Sequence, residues 1–443
     1  MATEKPVVIV GGGVSGLSVA YLLATHDVPT VLIEKEDRLG GLARSFRYGE
    51  FTFDIGPHRF HSERTDIVAL IKNILDGHVH TIPRSSSVRF AGAFYPWPLH
   101  PSYTLLRFPP RIALSILRDL FVIYHGRSMN TFKDYIINLY GKTLYELFFE
   151  GYSAKFLGIV PELTHIDWAK TGIDRSIIDT RLKMHSLWQL MAGALLPSRR
   201  PPLQFLYPDG GCDRFITHLE QRYRALGGEV ICGASVASID EDARQTIRAI
   251  RTADREIEAA ALVWTGDIHS LTDLLGLPRA KLKYLSLVCY NLMLTAGSEF
   301  PFQWCYHGAP DILFSRVAVP RNFDQSLTPA GHRSLCVEVT TPDDKGAYQE
   351  PEKYLDRVLT DAARENLLFT AQEVIDARAE RVLHAYPIYS LDYRQELERL
   401  DQALASHTNL FRGGRLGLFW YNNMDQCIEA AYPLVDRILA RLP

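Results

Sequence analysis

The chain has 443 residues, too many for one ordinary hydrophobic core, so two or three domains are expected. Hydrophobic residues make up 47% of the chain and charged residues 22%, as in a soluble globular protein. The formal net charge of −3 excludes a bulk electrostatic attraction to nucleic acid, so no nucleic-acid partner is expected.

The cysteines and the hydropathy pattern bear on location. The six cysteines have no CxxC spacing, which predicts reduced thiols, no metal centre and a cytoplasmic protein. The stretch 112–124 is interrupted by Arg118 and Asp119 and is too short to span a bilayer, so no stable membrane insertion is expected. Residues 187–196 favour a buried helix, with a membrane-contacting segment or a flap as the alternative.

The first predicted element is a βαβ unit. An apolar run at 7–10 leads into a Gly-x-Gly-x-x-Gly motif at Gly11, Gly13 and Gly16, a helix follows, and a second apolar run ends at Glu34. This order indicates a dinucleotide site rather than a glycine-rich turn in an ordinary α/β domain. The residues predicted to contact the dinucleotide here are Gly11, Gly13, Val14, Ser15, Gly16, Glu34 and Lys35.

A second glycine pair, Gly40 and Gly41, follows the βαβ unit closely, and a Gly-Pro-His turn comes at 56–58. A second phosphate-contacting turn suits a cofactor that threads through the domain in an extended form, so the pattern favours FAD over NAD. The further cofactor-binding residues predicted here are Gly41, Leu42, Ala43, Arg44, Gly56, Pro57 and His58.

The middle of the chain changes character twice. Between about 100 and 200 the apolar residues follow helical spacing, as at Phe132, Ile136 and Leu139. The runs 286–294 and 335–339 are rich in valine, leucine and aromatic residues, and they predict strands.

The whole pattern predicts an α/β fold with a discontinuous Rossmann-type FAD-binding domain, an inserted helical domain and an antiparallel β-sheet substrate domain. The predicted boundaries are 1–75, 205–275 and 385–443 for the FAD-binding domain, 100–200 for the helical domain, and 76–99 and 276–384 for the substrate domain.

The segment from Gly414 to Asp425 reads Gly-Arg-Leu-Gly-Leu-Phe-Trp-Tyr-Asn-Asn-Met-Asp. It resembles the C-terminal signature of the UDP-galactopyranose mutases, within the flavin amine oxidase and protoporphyrinogen oxidase superfamily. The helix that follows would direct its N-terminus at the negative charge of a reduced flavin, and Arg415 would add a cation there. At Arg59 this chain has a charge where the bacterial mutases have an apolar residue.

The resemblance implies roles for residues in several short segments. It implies that His58 lies beside the flavin and that Arg175 and Arg316 bind the substrate diphosphate, since the arginine fork matches phosphate oxygens. The catalytic set is His58, Arg175 and Arg316; the substrate-binding set is Tyr152, Arg175, Tyr207, Arg316, Tyr386 and Tyr421; the further cofactor-binding set is Val236, Thr265, Gly266, Arg415, Tyr421, Asn423 and Met424.

The activity that the resemblance implies is the interconversion of pyranose and furanose forms of a sugar nucleotide, a UDP-sugar by default, with no net redox change. In that family reduced FAD forms a covalent N5–sugar adduct, and NAD(P)H is a candidate transient reductant. The main alternative is an FAD-dependent oxidoreductase of the amine oxidase, protoporphyrinogen oxidase or desaturase type, and a non-catalytic FAD-fold scaffold is the third. The oligomeric state, including a homo-oligomer, stays open.

Overall fold

The computed structural model of the chain describes residues 5–90, 92–97, 108–119, 121–122, 129–173, 203–368 and 370–442. Its strands are β1 (Val7–Val10), β2 (Thr30–Ile33), β3 (Ser45–Tyr48), β4 (Phe51–Asp54), β5 (Val79–Pro83), β6 (Ser86–Phe90), β7 (Ala93–Trp97), β8 (Gln204–Pro208), β9 (Glu229–Ile231), β10 (Ser238–Glu241), β11 (Ile247–Arg251), β12 (Glu256–Glu258), β13 (Ala261–Trp264), β14 (Lys283–Leu294), β15 (Trp304–His307), β16 (Arg316–Ala318), β17 (Arg333–Thr341), β18 (Val374–Ile388) and β19 (Leu410–Arg412). Its helices are α1 (Val14–Ala24), α2 (Thr65–Leu75), α3 (Pro110–Asp119), α4 (Phe132–Leu144), α5 (Gly151–Leu157), α6 (Asp213–Ala225), α7 (Ile268–Leu274), α8 (Pro351–Arg364), α9 (Tyr393–Leu404), α10 (Gly414–Gly417) and α11 (Met424–Leu439).

A five-stranded parallel sheet carries the N-terminal βαβ unit. Its strand order is β19-β13-β1-β2-β9, so both ends of the chain and a middle segment contribute to it. The central residue Val8 pairs with Val31 on one side and with Leu262 on the other, and all three are buried. Helix α1 packs against α6 and α11 on this sheet. The predicted α/β fold class is therefore confirmed, with a Rossmann-like sheet.

A seven-stranded sheet forms the second layer of the molecule, in the order β18-β14-β17-β16-β15-β6-β7. Its pairs are antiparallel except for β15 with β6. Strand β14 is buried along its whole length after Lys283, because β17 and β18 flank it on both edges. Across β16 and β17, Arg316 lies directly opposite Glu338.

Helices α3, α4 and α5 lie in the part of the chain where helical spacing was predicted. Helix α4 is kinked at Gly141, which has a φ of 84°, and a π-helix at Tyr145–Glu150 leads into α5. Arg175 and residues 187–196, for which roles were predicted, lie outside the described residues. Among the described residues, no helix combines the length and the apolar character needed to cross a membrane.

Buried Asp54 connects four segments near the sheets. Its Oδ1 accepts hydrogen bonds from Ser45 Oγ at 2.5 Å and from the Cys212 N–H at 3.1 Å, and its Oδ2 accepts one from the Tyr207 hydroxyl at 2.5 Å. Burial raises the pKa of Asp54, while these donors oppose that shift. The β3–β4 hairpin is thereby tied to β8 and to the start of α6.

We expect Tyr207→Phe to lower the free energy of unfolding by about 1–3 kcal/mol, because it removes one donor from a buried carboxylate. Urea denaturation measures the change. Tyr432→Phe is the matched control, since that half-buried tyrosine has no hydrogen bond among the described residues. Equal losses in the two variants would contradict a bracing role for Tyr207.

Candidate cofactor and substrate site

The glycine turn between β1 and α1 has no room for side chains at two of its three motif positions. A Cβ on Gly16 would lie 1.9 Å from the carbonyl oxygen of Gly11, and Gly11 itself has a φ of 104°. A Cβ on Gly13, in contrast, would meet no atom within 4 Å. The backbone at Gly13 therefore borders open space at the N-terminus of α1, where the N–H groups and the helix dipole favour phosphate.

The second glycine pair lies directly on this turn. The Gly40 N–H donates to the carbonyl oxygen of Gly12 at 2.9 Å, and a Cβ on Gly41 would lie 3.3 Å from Gly13 Cα. Leu42 and Ala43 continue as a short 3₁₀ turn, and Arg44 Nε donates to the Gly41 carbonyl at 3.0 Å. Two turns that are separate in the sequence thus border the same open space.

Glu34 directly follows β2 beside the turn and is 7% exposed. Its carboxylate accepts hydrogen bonds from the Gly12 N–H at 2.6 Å and the Glu36 N–H at 3.0 Å. Each oxygen keeps acceptor capacity for a ribose hydroxyl. Lys35 is exposed, and Val236 is half-buried two residues after Ala234, whose N–H donates to the Glu34 carbonyl.

The C-terminal signature packs onto the same turn. Thr265 Oγ1 donates toward the carbonyl oxygens of Val10 and Gly11, with Gly266 next to it. A Cβ on Gly414 would lie 3.1 Å from Ser15, so α10 and α1 approach closely. Three predicted cofactor segments, around residues 11–16, 265–266 and 414–415, are therefore in mutual contact.

Arg415 and the start of α11 lie next to one another. Arg415 donates to the carbonyl oxygens of Ala385, at 2.8 Å, and Asn422, and its guanidinium lies over the rings of Tyr386 and Tyr421. Asn423 caps α11 with a reciprocal capping box, and Met424 is the first residue of the helix. The N-terminus of α11 and a guanidinium thus provide positive charge at one place.

The turn at Gly56, Pro57 and His58 lies against β17. Gly56 has a φ of 68°, and a Cβ there would lie 2.7 Å from the Glu338 carboxylate. Burial, together with the charges of Arg415, Arg316 and Arg59, lowers the pKa of His58 to about 3. His58 is therefore neutral at physiological pH, and its buried Nδ1 has no hydrogen-bond partner among the described residues.

Arg316 is held by a bidentate ion pair. Its Nε and Nη2 donate to the two carboxylate oxygens of Glu338 at 2.6 Å each, and Nη2 also donates to the Tyr386 hydroxyl at 3.0 Å. Glu338 is 1% exposed. The pair fixes the plane of the guanidinium and neutralises its charge.

A cavity of about 80 Å³ lies beside Arg316, and aromatic rings form most of its wall. Tyr421 stacks on Trp168 with ring centroids 5.2 Å apart, and Tyr152 meets Tyr306 edge-on at 5.5 Å. The lining residues are Val88, Arg89, Trp97, Leu147, Phe148, Phe149, Tyr152, Ser153, Phe156, Trp168, Tyr306, Gly308, Arg316 and Tyr421.

The structure brings together most of the predicted substrate-binding residues. Tyr152, Arg316 and Tyr421 line the cavity, and Tyr386 joins them through its bond to Arg316 and its ring contact with Tyr421. Burial raises the pKa values of Tyr152 and Tyr386, so both hydroxyls stay protonated. Tyr207 lies apart from this cluster, bonded to Asp54.

Several residues of the cluster had no role predicted from the sequence, namely Arg89, Trp168, Tyr306 and Glu338. Glu338 could have been identified from the sequence as a candidate, because it is a lone carboxylate within an apolar strand. For the other three residues, the direction of the side chain depends on tertiary packing, which the sequence alone does not reveal.

The described residues fit a dinucleotide. The Gly13 backbone borders open space, Glu34 has acceptors for a ribose, and α1 and α11 direct their N-termini to this region. Asn422 is 2% exposed, and both polar atoms of its side chain lack hydrogen-bond partners among the described residues. Unsatisfied buried polar atoms of this kind are expected where a polar ligand binds.

The comparisons agree with this geometry. Residues 9–74 match the family model of an NAD(P)-binding Rossmann-like domain. The chain is similar to a lycopene-forming phytoene desaturase of Pantoea ananas, with 24% identity over 63% of this chain and 59% of that protein. It is also similar to a probable UDP-galactopyranose mutase of Klebsiella pneumoniae, with 26% identity over 36% of this chain and 42% of that protein, and to a dTDP-fucopyranose mutase of Escherichia coli, with 24% identity over 35% and 42%.

The matched region spans 42 to 59% of the length of these curated relatives. Among solved structures, a reduced UDP-galactopyranose mutase superposes with a TM-score of 0.83 at 20% identity, covering 99% of this chain and 96% of that one. The predicted resemblance is thus confirmed, and the chain has the fold of the UDP-galactopyranose mutase-like flavoenzymes.

We expect Gly13→Ala to weaken FAD binding by about ten-fold or more, near 1.4 kcal/mol, because a methyl group would occupy the space bordered by the two glycine turns. The apoprotein should keep its melting temperature, since Gly13 has a φ of −74° and a Cβ there meets no protein atom. FAD titration and thermal melting of the apoprotein measure both effects.

Gly16→Ala is the control for that experiment. Its Cβ would collide with the Gly11 carbonyl, so the apoprotein itself should lose stability. If Gly13→Ala binds FAD as the wild type does, the turn is not the pyrophosphate site.

The depressed pKa of His58 predicts a pH dependence of stability. Because the folded pKa is about 3 and the ordinary value is 6.5, the unfolded state binds more protons between these pH values, and stability falls as pH is lowered. We expect the wild type to lose up to about 1.4 kcal/mol per pH unit more than His58→Gln below about pH 6.5. Urea unfolding over a pH series measures this difference.

The matched control for the pH series is His26→Gln, because His26 is exposed. This variant should follow the wild-type profile. Superimposable profiles for His58→Gln and the wild type would mean that His58 is not held neutral by its surroundings.

Proposed function

We propose that the protein is an FAD-dependent sugar-nucleotide mutase, an isomerase that interconverts the pyranose and furanose forms of a UDP-sugar of the galactose type. The observation that carries this proposal is the convergence of Arg316, Tyr152, Tyr386 and Tyr421 on one cavity next to the candidate cofactor turns. The similarity to two mutases and to the fold of a reduced UDP-galactopyranose mutase supports it.

The residues of the cavity suit the leaving and returning diphosphate. Tyr152 and Tyr386 remain protonated and can donate to phosphate oxygens without adding charge. The Glu338 pair orients Arg316, whose Nη1 makes no hydrogen bond to the described residues and is available as a donor. Aromatic walls exclude water, which strengthens each of these contacts.

When bound in its reduced form, FAD would supply the nucleophile for the sugar, and NAD(P)H is the proposed transient reductant. The chain supplies an environment for negative charge, because the N-terminus of α11 and the Arg415 guanidinium lie together. His58, held neutral by its neighbours, can hydrogen-bond without adding another charge or releasing a proton.

A second candidate is an FAD-dependent oxidoreductase that acts on an apolar substrate. The aromatic and aliphatic lining of the cavity, from Val88 and Leu147 to Phe156, favours it, as does the similarity to a phytoene desaturase. The buried ion pair of Arg316 and Glu338 has no evident use in such a cavity, which is why the mutase is preferred.

The test is turnover of UDP-galactofuranose by the FAD-loaded protein, with dithionite and separately in air. We expect UDP-galactopyranose to form only with the reduced protein, and no net consumption of reductant. Chromatography of the sugar nucleotides measures the product.

The test variant for this assay is Tyr386→Phe, which keeps the ring contacts but removes the hydroxyl that accepts a hydrogen bond from Arg316. We expect its turnover to fall about ten-fold, as for the loss of one hydrogen bond to a charged group. Oxygen consumption with a polyene or an amine, and no reaction with the sugar nucleotide, would replace the mutase by the oxidoreductase.

A further inference from the structure

Four arginines lie at the cavity or close to His58, and they differ in how the protein compensates their positive charge. Arg316 has the Glu338 carboxylate, and Arg89 lies 3.6 Å from the carboxylate of Glu365. Arg415 has no carboxylate partner in the part of the chain that the structure describes, but it donates to two backbone carbonyls. These protein acceptors already satisfy part of the hydrogen-bonding and electrostatic demand of the three arginines, which leaves less for a bound anion.

Among the described residues, Arg59 has neither an ion-pair carboxylate nor a second backbone acceptor. Its Nη1 donates to the Pro57 carbonyl at 3.0 Å, while its buried Nε makes no hydrogen bond within the described ranges. No carboxylate of the described residues lies within the 4.0 Å of an ion pair. The guanidinium is instead held over the rings of Phe205, at 5.0 Å, and Trp304, at 4.9 Å.

Aromatic contact compensates only part of the cost of burying a charge, because a cation over a ring gains about 0.5–2 kcal/mol whereas an uncompensated buried ion costs several. Burial accordingly lowers the pKa of Arg59. The nearby groups that act on its charge are Tyr306, Arg316 and Tyr421, which line the cavity, and the Asp425 carboxylate at the start of α11, which favours the charged form without lying within ion-pair distance. Arg59 therefore belongs to the electrostatic environment of the cavity.

We propose that Arg59 is an oxyanion-binding residue of this site, and that it binds the diphosphate of the sugar nucleotide with the donors that the protein leaves unused. This inference rests on the proposed function for the identity of the ligand. The guanidinium plane, fixed by Phe205 and Trp304, presents a preoriented fork to two phosphate oxygens. The residue is an addition to the arginines that the family resemblance implies.

The experiment uses FAD-loaded protein with UDP and, separately, inorganic pyrophosphate as probes, followed by the flavin absorbance. We expect Arg59→Met to weaken both ligands by about ten-fold or more, as for a lost charge-assisted bond. Arg59→Lys should fall between Arg59→Met and the wild type, because it keeps the charge but loses the fork. This second variant keeps the test informative if the first loads FAD poorly.

The matched control is Arg84→Met. Arg84 also lies over the Trp304 ring, at 5.7 Å, but its Nε donates to Ser86 Oγ and, unlike Arg59, it is not among the charges that act on His58. Its substitution removes a comparable ring contact, so both affinities should stay at the wild-type values.

Three outcomes would overturn the inference. Unchanged UDP and pyrophosphate affinities in Arg59→Met would do so while leaving the mutase proposal intact. A lower flavin midpoint potential with unchanged affinities would assign Arg59 to the cofactor instead. Binding of neither probe to the wild type would overturn both proposals. If only pyrophosphate binds and Arg59→Met abolishes that binding, Arg59 is an oxyanion-binding residue, but the sugar nucleotide is not its ligand.

Discussion

The close packing of glycine turns is the constraint on which the rest of the molecule depends. A Cβ on Gly16 would clash with the carbonyl of Gly11, and a Cβ on Gly41 or Gly414 would crowd Gly13 or Ser15 in turns that also need a positive φ. These turns come from the first 45 residues and the last 30, and only their contact assembles the parallel sheet, α1 and α11 around one space. The candidate cofactor site is thus formed by tertiary packing together with one local motif.

Ion pairs between arginines and carboxylates set the electrostatic environment of the adjoining cavity. The seven-stranded sheet places Glu338 directly across from Arg316, and the β15–β6 pair sets His307 opposite Arg89. Glu365, at the end of α8, contacts both His307 and Arg89. Buried arginines are tolerated because these carboxylates stand beside them. Burial, together with the charges of Arg415, Arg316 and Arg59, lowers the pKa of His58, so this histidine acts as a neutral hydrogen-bonding group.

The sequence was informative where the signal is local. The βαβ unit, the second glycine pair and the helix after Asn423 follow from motifs and periodicities within about 30 residues, and all three have the predicted structure. Strand β14 was predicted too, although its flanking by β17 and β18 was not, because the pairing partners lie 39 to 105 residues away, from Leu294–Arg333 to Lys283–Ile388. Local pattern therefore defines elements better than it defines neighbours.

The residues of the cavity show the same limit. Glu338 is paired with Arg316 only through strand register, which one sequence does not reveal. Tyr207 and Tyr386 both precede a proline in short aromatic segments, yet β8 turns one hydroxyl to Asp54 while β18 brings the other to Arg316. Arg59 departs from the family pattern in sequence, but only the three-dimensional structure shows that no carboxylate of the described residues lies within ion-pair distance of it.

The order of the parallel sheet has a consequence for biosynthesis. Strand β19 closes one edge of the sheet beside β13, and it is made only when translation reaches Leu410–Arg412. Until then the growing polypeptide presents β13 as a bare edge of buried, apolar character, open to pairing with other chains. Premature release from the ribosome would therefore yield an aggregation-prone fragment rather than a smaller folded protein. The C-terminal segment completes the sheet by covering the edge of β13.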